Sequence, residues 1–112
     1  MKSFFFALAG IKTAFSTESN LRIQLVAALL VIGLGFYMQI SRTEWLLLVL
    51  CIGFVFTAEL LNTAIEYLTD LISPGFNQTA GKVKDIGAGA VLISAITSCI
   101  IGSIIFLPKI FN

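Results

Sequence analysis

Histidine is absent from these 112 residues, and charge is scarce. Without histidine the chain lacks the usual general base near neutral pH and the commonest metal ligand. Proton transfer or metal binding would therefore fall to carboxylates, amides and lysines. Charged residues make up 12% of the chain, against about 25% in an ordinary soluble domain, while 58% are hydrophobic. That is too little polar surface to clothe a water-soluble fold, so most of the outside must face a bilayer. A net charge of +1 excludes both a basic nucleic-acid surface and an acidic tail. The two cysteines, Cys51 and Cys99, each sit in an apolar run and read as small buried hydrophobes. With no histidine beside them they form no zinc pattern.

Length favours one domain, residues 1–112. Residues 3–16 are apolar but interrupted by Lys12, Thr13 and Ser16, and a helical crossing needs about 20 residues. A helix lying in the membrane interface fits this segment better. Lys2 followed by Phe4, Phe5 and Phe6 resembles the start of a cleaved leader. The run is shorter than the roughly 7–15 apolar residues of a leader core, so no cleavage is expected. The polar stretch from Thr17 to Asn20 can cap a helix, and a first span follows over about 21–38. Arg22 and Gln24 stand at its entrance, where long side chains can reach the headgroups. After a short turn at residues 39–44, Trp45 opens a second span over about 45–72, which Pro74 and Gly75 close. A polar loop leads to a third, uncharged span over about 86–107. The fold class is therefore all-α: three transmembrane helices preceded by an amphipathic surface helix.

With three spans, the N-terminus and the 73–85 loop share one side. Lys2, Lys12, Arg22, Lys82 and Lys84 lie there, against Arg42 and Lys109 on the other. The excess of positive charge assigns the first side, N-terminus included, to the cytoplasm.

The second span carries Glu59, Asn62, Glu66 and Asp70 within about 80° of one helix face, with a rise of about 10 Å from Glu59 to Glu66. An acid at mid-span costs about 2.5–3.5 kcal/mol on insertion scales, so these groups need a partner helix, a metal or a wet cavity. One reading is a polar zipper between helices, although such pairs contribute only about 0.6 kcal/mol on average. A second is a proton or ion relay, as in a proton-coupled transporter subunit. It accounts for Glu59 but not for Lys84 or for the acids gathered at the cytoplasmic face. A third is phosphoryl transfer. Glu18 and Glu66 are oxygen ligands suited to Mg²⁺, a lysine can neutralise phosphate, and a deeper carboxylate can take the proton of an alcohol. Lys84 and Asp85 precede the third span, and a lysine at a helix start reads as a phosphate clamp. Gly81, Gly87 and Gly89 would either let backbone approach phosphate or let helices pack closely.

The segment Glu59-Leu60-Leu61-Asn62-Thr63-Ala64-Ile65-Glu66-Tyr67-Leu68-Thr69-Asp70 resembles the signature of the small prokaryotic diacylglycerol kinases, which include undecaprenol kinases. Gly10, Ile11 and Ala14, then Glu18 and Arg22, then Lys84 to Val91, extend the resemblance over nearly the whole chain. It implies a homotrimer in the bacterial inner membrane, with sites between subunits. MgATP would be the donor and a lipid alcohol, undecaprenol or diacylglycerol, the acceptor. Glu59 would be the general base and Glu18 and Glu66 the metal ligands. Asn62 and Asp85 would orient groups around the phosphate, and Lys84 would bind the phosphate chain. Phe6, Ala7 and Gly10 would border the nucleotide, Phe6 standing where some relatives have tyrosine. Gln24 departs from relatives that carry Glu or His, which leaves its part in catalysis open. The wording NTAIE, Pro74 and AGAVL resembles the undecaprenol branch more than the enteric diacylglycerol branch.

Overall fold

A computed structural model describes residues 2–112. They form four helices: α1 (Lys2–Thr17), α2 (Ser19–Met38), α3 (Arg42–Ile72) and α4 (Gln78–Ile110), with no strand among the described residues. The three later helices are each long and apolar enough to cross a membrane. At 1.5 Å per residue α2 is about 30 Å long, which matches the hydrocarbon core of a bilayer. The lengths of α3 and α4, 31 and 33 residues, correspond to about 46 and 50 Å. Each therefore has surplus helix. In α3 the surplus bears Glu66 and Asp70, and in α4 it bears Lys82, Lys84 and Asp85.

Local chemistry fixes the ends. Gln39 takes the left-handed conformation at φ 54° and closes α2, its N–H bonding back to the carbonyls of Gly35 and Phe36. Gly35 must lack a side chain, because a Cβ there would come within 2.9 Å of the Trp45 ring. Ser41 starts α3 through a capping box. Its hydroxyl accepts from the Glu44 N–H at 3.2 Å, and the Glu44 carboxylate accepts from the Ser41 N–H at 2.9 Å. At this end Ile40, Leu48, Ile105 and Phe106 form the apolar core. Lys109 pairs with Glu44 across it at 3.2 Å.

Three expectations are corrected. First, α4 begins at Gln78, not beside Lys84. The Asn77 carboxamide accepts from the Thr79 and Ala80 N–H groups, so the polar stretch read as loop is already helix. Lys84 and Asp85 thus lie in the second turn, away from the free N–H groups on which a helix-start phosphate clamp depends. Second, Arg22 turns back to the Ser16 carbonyl at 3.4 Å, a cation at the C-terminal end of α1, and Gln24 turns inward instead of reaching the headgroups. Third, Cys51 is buried but Cys99 is exposed.

The first helix is loosely held. It buries only Ala14 and meets α3 through Phe15 and Phe56, whose rings lie 5.9 Å apart. Along α2 to α4, large apolar side chains such as Leu30, Leu50, Ile86 and Ile104 point outward. That surface suits lipid or other protein, not water.

Candidate active site

Helix α3 supplies the floor of the site. Glu59, Asn62 and Thr63 are its buried polar residues, with Glu59 only 3% exposed. The Thr63 hydroxyl bonds to the Glu59 carbonyl at 2.9 Å, satisfying itself within the helix. The Glu59 carboxylate accepts a hydrogen bond across the helix interface from Nε2 of Gln24 on α2, at 3.0 Å. One turn on, Nδ2 of Asn62 donates to Oε1 of Glu66 at 3.2 Å. On the face expected from the sequence, Glu59 and Glu66 thus each hold one amide.

The remaining oxygens of those amides are exceptional. Oε1 of Gln24 and Oδ1 of Asn62 are both buried without a partner. A buried acceptor left unpaired costs about 1–3 kcal/mol. Orphans of this kind beside carboxylates mark a place where a donor arrives from elsewhere.

Helix α4 forms the other wall. Gly87 packs directly on Asn62, and a Cβ there would overlap Oδ1 of Asn62. Close packing is therefore the task of Gly87, whereas Gly81 and Gly89 have open space where a Cβ would stand. Lys84 pairs with Asp70, bridging α4 and α3 where both are partly exposed. This pairing sets the lysine beside the acidic face and joins Asp70 to the site.

Glu18 lies in the extended junction between α1 and α2. It is the N-cap residue of α2, yet its side chain makes no capping bond. The carboxylate is left free. No group of three or more His, Cys, Asp or Glu near enough to hold a metal occurs among the described residues. What the chain offers is two carboxylates from separate elements, which suits an ion that keeps waters and takes its other ligands from a phosphate chain.

Not every expected residue converges. Asp85 is exposed and makes no side-chain hydrogen bond among the described residues. Phe6, Ala7 and Gly10 lie exposed on α1, Phe6 at 72%, with nothing within 4 Å of where a Gly10 Cβ would be. A cleft of about 500 Å³ opens between α2, α3 and α4. Gln24, Val55 and Phe56 line it at one end, Leu48 and Phe106 at the other, and its walls are almost wholly apolar. Sequence reasoning did not assign Gln24 to the site. Two signals stand in the sequence: an uncharged amide at the mouth of an apolar span, equally suited to the headgroups, and a departure from the Glu or His expected there from the resemblance, which leaves its part in catalysis open.

Comparison with known proteins bears on what this arrangement does. The profile of the family described as prokaryotic diacylglycerol kinase matches residues 5–106. The chain is 46% identical over 109 residues to the undecaprenol kinase of Bacillus subtilis, covering 97% of this chain and 89% of that protein. It is 35% identical over 111 residues to a diacylglycerol kinase of Synechocystis, covering 98% of this chain and 63% of that longer protein. Against the diacylglycerol kinase of Escherichia coli K12 it is 32% identical over 91 residues, covering 81% and 75% respectively.

Proposed function

The chain belongs to the prokaryotic diacylglycerol kinase family and is a membrane lipid kinase using ATP, and we propose that it phosphorylates undecaprenol, with Glu59 as the general base. The observation that carries the base assignment is the placement of Glu59. It is a nearly fully buried carboxylate held by a single amide donor, Gln24, which itself lines one end of the apolar cleft. The cleft falls within the usual range of roughly 300–1,000 Å³ for small-molecule sites and suits a hydrocarbon chain. Undecaprenol over diacylglycerol is supported by the 46% identity with the undecaprenol kinase, against 35% and 32% for the two diacylglycerol kinases.

In this mechanism the lipid hydroxyl donates its hydrogen to Glu59, and its oxygen attacks the γ-phosphorus of ATP in line with the departing ADP oxygen. Lys84, steered by Asp70, faces the phosphate chain. Asn62 fixes Glu66 through its Nδ2 and keeps Oδ1 at the reacting end. Asp85 completes the surroundings of the phosphate, and Phe6, Ala7 and Gly10 border the base of ATP. Glu18 and Glu66 would hold Mg²⁺, an assignment favoured by their hard oxygens and by the free Glu18 carboxylate. When bound, that ion would offset negative charge on the transferring phosphoryl group.

Phe6, Ala7 and Gly10 are exposed on α1, with nothing within 4 Å of where a Gly10 Cβ would stand. A homotrimer in which neighbouring subunits complete each site accounts for this, and for the outward apolar faces of α2 to α4. The N-terminus and the 73–85 loop would face the cytoplasm, in the bacterial inner membrane, where ATP is available. The proton-coupled transporter alternative has no support: α3 is apolar from Trp45 to Phe56 and offers no polar path beyond Glu59. The test is transfer of the γ-phosphate of ATP to undecaprenol or diacylglycerol by purified protein, and its loss in Glu59→Gln.

A further inference from the structure

The kinase mechanism gives Gln24 no task, yet Gln24 makes the only side-chain hydrogen bond to the Glu59 carboxylate among the described residues. Nε2 donates at 3.0 Å, while Oε1 is buried without a partner. The orientation follows from chemistry. Turned the other way, the amide would oppose two acceptors while Glu59 is ionised.

We propose that Gln24 is a positioning residue that serves Glu59 in both of its protonation states, as donor before phosphoryl transfer and as acceptor after it. The proposal rests on the reading of Glu59 as the general base. Before transfer, Nε2 fixes one carboxylate oxygen and leaves the other without a side-chain donor, free to meet the lipid hydroxyl. During transfer the hydroxyl O–H bond breaks and its proton passes to Glu59. The hydroxyl oxygen bonds to the γ-phosphorus, and the bond from that phosphorus to the β-γ bridging oxygen breaks, releasing ADP. Glu59 is then a neutral acid that donates one hydrogen bond. A half-turn of the Gln24 amide brings Oε1, the orphan acceptor, to receive it. An amide alone among uncharged side chains of this length offers both a donor and an acceptor.

Besides Glu59, α1 to α4 and the α1–α2 junction carry the charged side chains of Lys2, Lys12, Glu18, Arg22, Arg42, Glu44, Glu66, Asp70, Lys82, Lys84, Asp85 and Lys109. None makes a hydrogen bond to Glu59 among the described residues, so the amide has no substitute.

The test is a double-mutant cycle in steady-state kinase activity, with Gln24→Met (length kept, hydrogen bonding removed) in wild-type and Glu59→Asp backgrounds. The shorter aspartate remains a base but withdraws from the reach of Gln24. In the wild-type background, Gln24→Met is expected to lower kcat about ten-fold with KM for ATP unchanged. In the Glu59→Asp background it is expected to add less than about three-fold, because the interaction is already gone. An unchanged kcat, or equal factors in both backgrounds, would overturn the proposal. So would loss of helical structure in both Gln24→Met and Gln24→Leu, since the amide would then be a structural prop. A wild-type protein that transfers no phosphate would remove the kinase reading itself, a distinct outcome.

Discussion

Gly87 of α4 lies against the Asn62 amide of α3 so closely that no side chain fits between them. The same amide donates to Glu66 at 3.2 Å, so the helix contact and the position of a candidate metal ligand are one piece of packing. Gly87→Ala is therefore expected to turn Asn62 away and lower kcat about ten-fold or more, as misplacement of catalytic groups does. Gly89→Ala, with open space around it, is the control and is expected to keep wild-type rates. Equal behaviour of the two variants would contradict the role given to Gly87.

Lys84 and Asp70 separate charge from stability. Both are partly exposed, and pairs of that kind contribute only about 0–1 kcal/mol. Asp70→Asn should thus leave the thermal unfolding midpoint in detergent nearly unchanged while letting Lys84 wander. Lys84→Met should raise the KM for ATP about ten-fold or more, with a smaller rise in Asp70→Asn. A larger effect of Asp70→Asn than of Lys84→Met would point to a direct part for Asp70.

The two carboxylates Glu18 and Glu66 come from different elements, the α1–α2 junction and α3. Glu18→Gln and Glu66→Gln are each expected to raise the Mg²⁺ concentration giving half-maximal activity by about ten-fold or more. Electron paramagnetic resonance of Mn²⁺ with ATP present reads the same site without turnover. Wild-type Mn²⁺ binding in both variants would refute the assignment.

At the opposite end, the capping box of Ser41 and Glu44 is remote from the site. Ser41→Ala should reduce stability by about 1 kcal/mol and leave kcat alone.

Much of this was readable from residue order. Apolar length gave the three spans, and 100° spacing gave the face bearing Glu59, Asn62, Glu66 and Asp70. What escaped was lateral. Whether Gln24 meets lipid headgroups or Glu59, and whether Lys84 meets solvent or Asp70, depends on how each helix is rotated about its axis. Neighbouring residues along the chain do not encode that rotation. The start of α4 is hidden for a different reason: residues 78–85 are polar because they lie beyond the hydrocarbon core, and a polar helix end has the composition of a loop. Phe6, Ala7 and Gly10 belong to a third class: they lie exposed on α1, and the proposed trimer would bring them to a site only through a neighbouring subunit.

Label transfer from γ-labelled ATP to lipid tests the central claim most directly. Purified protein with Mg²⁺ would be offered undecaprenol and diacylglycerol separately, beside Glu59→Gln. The expected result is a labelled undecaprenyl phosphate, formed faster than phosphatidic acid and reduced at least about a hundred-fold in the variant. Undiminished transfer by Glu59→Gln would remove Glu59 as the base, and no transfer to either lipid by folded wild-type protein would contradict the account as a whole.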